Sequence, residues 1–146
     1  MMRNDLTLWP LVVSVSRGVP TLQELQTHSA DWEGWLDRGE RFATLRLYAD
    51  VAAHSYPDGG AKEKKRWFQA NGARVKTLVV GMASVVPSEI LEKVGRTNNE
   101  NLFGVPVQAF ADTVPAAQWI GALLQAQGLN VSLEKASATL KRLMVG

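Results

Sequence analysis

The sequence predicts an α/β fold: a predominantly parallel sheet of four or five strands with alternating helices, and an additional helix at the C-terminus. Short apolar runs recur at residues 8–15, 42–49, 75–82 and 105–110, each too short for an ordinary helix and most of them dense in β-branched residues or leucine. Longer amphipathic segments separate the runs and leave room for the helical crossovers that parallel strands need. The chain has 146 residues, 46% hydrophobic and 21% charged, which suits a single domain with one core.

The first run ends in Ser16-Arg17-Gly18-Val19-Pro20, after which Thr21 and Glu24 have the spacing of a capping box that opens a helix. Leu22, Leu25, Trp32, Trp35 and Leu36 share the apolar face of that helix, and Gly39 ends it. The run at 42–49 alternates Phe42, Thr44, Arg46 and Tyr48 against Ala43, Leu45, Leu47 and Ala49. One of its faces is apolar and the other mixed, which predicts a strand toward an edge of the sheet. After Asp50 come a loop over 51–60 and a helix over 61–71 that Gly72 terminates. The run at 75–82 is apolar enough for a central strand. Leu11, Val13, Leu45, Leu47, Leu78, Val80 and Val107 are the strand residues expected to be buried.

Pro87 and Ser88 start a shorter helix through Ile90, Leu91 and Val94, and a polar loop covers 96–101. The last run leads to a helix capped by Asp112 or Thr113, with Trp119, Ile120, Leu123 and Leu124 inward. Residues 8–127 are thus expected to form the α/β core and 129–146 a helical extension. In that extension Leu133, Ala136, Leu140 and Leu143 form one stripe, to be covered by the parent domain or, in a homodimer through Leu133, Leu140 and Leu143, by a second copy.

Several function classes are disfavoured. Without cysteine there are no disulfides or thiolate metal sites, and a reducing, cytoplasmic setting is expected. No apolar stretch reaches membrane-spanning length, and the one near the N-terminus is broken by Pro10, so no membrane association is expected. Sixteen basic against fourteen acidic residues leave a net charge of +2, too balanced to imply nucleic acid. His28 and His54 stand without ligand-spaced partners, so no metal or cofactor is expected. No Gly-x-Ser-x-Gly turn accompanies them, and Ser14, Ser16 and Arg17 stand where a receiver domain would need magnesium-binding carboxylates. No catalytic residue is assigned, and the sequence favours a non-enzymatic protein.

The order of a strand, a Gly-Val-Pro-Thr turn, a helix ending Trp35-Leu36-Asp37-Arg38-Gly39, a strand from Arg41 to Asp50 and a later Trp119-Ile120 helix resembles the SpoIIAA-like, or STAS-like, domains of bacteria. The resemblance covers roughly residues 8–127 and implies a non-enzymatic signalling or docking module with a protein partner. In phosphorylatable members a Ser or Thr begins the helix after the Asp-ended strand. Here Asp50 is followed by a longer loop, in which only Ser55 stands near that position.

The candidate regulatory loop therefore contains Asp50, His54, Ser55 and Asp58, at the carboxyl end of a strand, where open α/β sheets place ligands. Ser55 and Asp58 also read simply as turn residues. The run Lys62-Glu63-Lys64-Lys65-Arg66, followed by Trp67, is the candidate partner-binding surface, with Lys62, Lys64, Lys65, Arg66 and Trp67 as its residues. Its plainer reading is a solvated helix face anchored by aromatics. The alternative function is a small-molecule or phosphate-binding protein, enzymatic or not, that uses the loops at 16–21 and 50–58. An exposed apolar or basic patch would distinguish the docking module, and a cavity with converging polar groups the ligand-binding protein.

Overall fold

The structure is a computed structural model that describes residues 1–95 and 104–145. The polar loop expected at 96–101 lies outside the described residues. Five strands, β1 (Met2–Asp5), β2 (Leu11–Ser16), β3 (Phe42–Tyr48), β4 (Val79–Val85) and β5 (Val107–Phe110), form one sheet in the order β1-β2-β3-β4-β5. β1 is antiparallel to β2, and the other pairings are parallel. The helices are α1 (Leu22–Asp37), α2 (Gly60–Leu78), α3 (Ser88–Gly95), α4 (Thr113–Ala126) and α5 (Leu133–Val145), and a 3₁₀ turn at Ala52–His54 precedes α2.

From β2 to β5 each crossover steps one strand in the same direction. Crossovers of one hand then put their helices on one face. α1, α2 and α3 lie on that face, and α4 and α5 cover the other. The α1 start is the expected capping box: the Glu24 N–H donates to Thr21 Oγ1 at 3.0 Å, and the Thr21 N–H donates to Glu24 Oε1 at 3.0 Å.

The face under α4 and α5 is closely packed. Leu11, Val13 and Val15 of β2, Leu45 and Leu47 of β3, and Ala83 and Val85 of β4 meet Ala116, Ile120 and Leu124 of α4 and Ala136, Leu140 and Leu143 of α5. Two glycines permit this closeness. A Cβ on Gly81 would lie 2.7 Å from a Leu123 methyl, and one on Gly121 2.5 Å from a methyl of Leu133. Helix α5 therefore belongs to the core of the chain, with Leu140 and Leu143 buried in it and Leu133 lying over Gly121. Ala136, Leu140 and Leu143 of this stripe are covered by the chain's own domain, while Leu133 stays partly in solvent. Arg142 pairs with Asp5, and Arg17 donates to the Met144 carbonyl, which ties the end of α5 to the β1–β2 edge.

Four expectations from the sequence are revised. β3 is the middle strand and not near an edge. α2 runs through Gly72 to Leu78, because burial of Asn71 and Val75 outweighs the cost of about 1 kcal/mol for glycine within a helix. Leu78 consequently ends a helix and is only partly buried, as is Val107, whereas Leu11, Val13, Leu45, Leu47 and Val80 are buried. β1 was not anticipated: Met2, Arg3, Asn4 and Asp5 have no apolar alternation, and the strand is held by pairing from Met2↔Ser16 to Asp5↔Val13.

Candidate functional site

Successive residues of a strand point to opposite faces, so the residues between those in the packed core point toward α1, α2 and α3. On this face the beginnings and ends of the strands differ. Near the beginnings, Val12, Phe42 and Val79 pack with Trp35, Leu36, Trp67 and Val75. Trp32 joins them, with ring centroids 5.7 Å from Phe42, 5.3 Å from Trp35 and 5.8 Å from Trp67. Toward the carboxyl ends the strands present Ser14, Thr44, Arg46, Tyr48, Ser84 and Ala109, which are too small or too polar to fill the space below the helices. The result is a cavity of about 800 Å³. Trp32, Trp35, Trp67 and Phe68 form much of its helical wall, while Leu91 and Val94 of α3 line the β5 side.

Arg46 is the central charged group on the sheet floor. Its Nε and Nη2 donate to Ser16 Oγ at 3.2 and 2.9 Å, and Nη1 lies 3.4 Å from His28 Nε2. Its guanidinium carbon sits 4.7 Å from the centre of the Tyr48 ring. Among the described residues no carboxylate forms an ion pair with it. Glu63 is the lining carboxylate, and it is already bound by a fork from Arg66 at 2.6 and 3.0 Å.

Burial, reinforced by the Arg46 charge, pushes His28 down to about 3, so the ring is neutral at ordinary pH. A guanidinium only donates, so the contact with Arg46 requires an unprotonated Nε2 and places the His28 proton on Nδ1. Nδ1 is buried and has no hydrogen-bond partner, and the same is true of Trp67 Nε1. Both are buried within the helical wall, so the donors open to the cavity floor are those of Arg46. His28 is too weak a base to accept a proton at neutral pH, and among the described residues no cavity hydroxyl is hydrogen-bonded to a histidine. The arrangement is suited to holding an acceptor-rich group.

The expected loop residues separate into different roles. Asp50 is a clamp: its carboxylate accepts from the Gly18 N–H with both oxygens at 3.1 Å and from the Ala53 N–H at 2.8 Å, joining the loops after β2 and β3. Ser55 donates its hydroxyl proton to the Ala52 carbonyl and closes the 3₁₀ turn. His54 lies edge-on to Tyr48, 4.8 Å between centroids, and lines the cavity with Ser55. Partial burial and then the charges of Lys64, Arg46 and Lys93 lower its pKa. Asp58 is exposed and not part of the lining.

The basic segment also divides. Lys62, Lys65 and Arg66 are exposed on the outer side of α2, whereas Lys64 lines the cavity and donates to the Tyr56 hydroxyl at 2.8 Å. Trp67, expected as an exposed anchor, is 8% exposed and belongs to the aromatic wall. Its position places it inward with Asn71 and Val75, one and two turns on.

Sequence reasoning passed over Arg46 and His28 as site residues. The signal for Arg46 was the mixed face of its strand, which follows from a cavity as readily as from solvent. His28 sits on the polar flank of α1, with no sequence neighbour to mark it.

Among the described residues no cluster of three His, Cys, Asp or Glu is placed to hold a metal ion, and no helix is long and apolar enough to cross a membrane. No protein-family model matches the chain, and neither a curated protein nor a solved structure shows significant similarity to it, so the STAS-like resemblance rests on the residues quoted for it.

Proposed function

We propose that this chain is a small-molecule-binding protein whose ligand occupies the space between β2–β5 and the helices α1, α2 and α3. The observation that carries this reading is the polar floor, Ser14, Thr44, Arg46 and Ser84, beneath an aromatic-walled cavity of about 800 Å³. Protein interiors are otherwise close-packed, and pockets of roughly 300–1,000 Å³ with a few convergent polar groups are typical of ligand sites. The absence of cysteine agrees with a cytoplasmic setting.

The test is a thermal-shift screen of a chemically broad small-molecule library against the wild-type protein and Ser84→Leu, which fills the floor. Compounds that raise the melting temperature of the wild type should lose that effect in the filled variant. A screen without hits, or hits indifferent to Ser84→Leu, would defeat the proposal.

A second reading, a docking module for an acidic protein partner, is favoured by the exposed Lys62, Lys65 and Arg66 on α2 and by the STAS-like resemblance. It predicts that charge reversal at Lys62 and Lys65 abolishes partner capture, while Ser84→Leu leaves it intact.

A further inference from the structure

We infer that the cavity selects an aromatic monocarboxylate, its carboxylate on Arg46 and its ring against the tryptophan wall. The inference rests on the small-molecule reading above and adds the chemical class of ligand.

Charge is the first argument. Arg46 is held in place from one side by Ser16 and flanked by Tyr48, without a carboxylate partner among the described residues. A partly buried cation without a counter-ion leaves a strong positive potential in a low-dielectric space. Among the described residues the one lining carboxylate, Glu63, is paired with Arg66. A neutral ligand would leave that potential uncompensated, and a cationic ligand would add to it.

Hydrogen-bond sense is the second. Arg46 has donors only: Nε and Nη2 share Ser16 Oγ and Nη1 meets His28 Nε2, which leaves further N–H groups on Nη1 and Nη2 for a ligand. A carboxylate supplies only acceptors, arranged in a plane that suits a guanidinium edge.

The third argument fixes one charge and a ring. A phosphate dianion calls for several cations or a nest of backbone N–H groups. The floor offers one guanidinium; the second lining cation, Lys64, is exposed and donates to the Tyr56 hydroxyl, and Trp32, Trp35, Trp67 and Phe68 form much of the helical wall. Flat rings stack on such walls with a gain beyond simple burial.

Tryptophan fluorescence titration tests the assignment with four probes of nearly equal size: 2-naphthylacetate, its primary amide, 2-naphthylethylamine and 2-naphthyl phosphate. The carboxylate should bind at least about tenfold more tightly than the amide, the equivalent of one charge-assisted hydrogen bond. Arg46→Gln should erase that preference, and Arg46→Lys should retain most of it. Should Arg46→Gln fail to fold, the wild type alone tests the charge: binding of the acid should weaken toward that of the amide as the pH falls below the probe's own carboxyl ionisation, while binding of the amide holds steady. Equal binding of acid and amide, or tighter binding of the amine, would overturn the charge assignment and leave the small-molecule reading intact. Tighter binding of the aryl phosphate would overturn the monocarboxylate. No fluorescence change with any probe, joined to an empty library screen, would defeat both readings.

Discussion

On the side of the sheet toward α4 and α5, Leu11, Val13, Val15, Leu45 and Leu47 are no more than 6% exposed and interlock with Ile120, Leu124 and Leu140. On the opposite side the same two strands present Ser14, Ser16, Thr44, Arg46 and Tyr48, and the helices bridge over a cavity of about 800 Å³. The difference arises from side-chain size and polarity at alternating positions, since backbone and register are shared. One side is specialised for stability, and the other gives up packing to form a chamber. α1 and α2 can span that chamber because their aromatic cluster over Phe42 supports one end, while Asp50 fixes the loops at the other.

The largest test of this contrast is loss of volume on the packed side. Leu140→Ala should destabilise the fold by about 3 kcal/mol in urea unfolding, because the fully buried leucine has close neighbours that relax only partly. A loss below ~1 kcal/mol would mean that α5 is loosely attached. Next comes acidification. His28 is held at about 3 in the fold against 6.5 as its ordinary value. Between these values the unfolded chain binds a proton that the fold refuses, so stability is complete above about pH 6.5 and falls as pH drops, by up to about 1.4 kcal/mol per pH unit. The lowered pKa of His54 acts with the same sign. Unfolding at pH 7, 5.5 and 4.5 should show this slope in the wild type and a shallower one in His28→Phe. Identical slopes would show that His28 titrates freely.

A smaller effect separates the sides most directly. Gly81→Ala adds one methyl to the packed side, 2.7 Å from Leu123, and should cost about 1–2 kcal/mol. Ser84→Val adds apolar volume to the chamber side and should change stability by less than ~1 kcal/mol, as there is room for it. Equal costs would erase the contrast. The smallest effect is expected outside both sides: Lys62→Glu with Lys65→Glu should move the melting temperature by less than about 2 °C, since both residues are exposed on α2.

The packed side was legible in the sequence because its physics is periodic. Leu11, Val13, Leu45 and Leu47 recur every second residue, and the Leu140–Leu143 stripe recurs at helical spacing. The chamber side was not, because its pattern has two causes. Thr44, Arg46 and Tyr48 alternate with apolar residues as they would on a solvated edge, and only the presence of β2 and β4 on either flank shows that they face inward. The loop from Asp50 does follow the carboxyl end of β3, yet Asp50 acts as a brace, and the neutral His28 comes from a helix eighteen residues earlier than Arg46. Such a pair forms only when the crossover closes. Gly72 misled for a related reason: a local stop signal of about 1 kcal/mol is weaker than the burial of a helical turn.

The uninterrupted strand order has a consequence for how anything reaches the chamber. In many open α/β sheets a crevice appears where the strand order reverses and neighbouring crossovers diverge to opposite faces, and ligands enter through that topological switch point. The parallel part of this sheet, β2 to β5, never reverses, so its crossovers leave no such parting between them. Space was made instead by shortening the residues under an unbroken helical roof. Among the described residues the lining is exposed at His54, Tyr56 and Lys64 beyond β3 and at Gly95 and Gln108 beside β5, so the chamber meets solvent at its margins and not between two diverging helices.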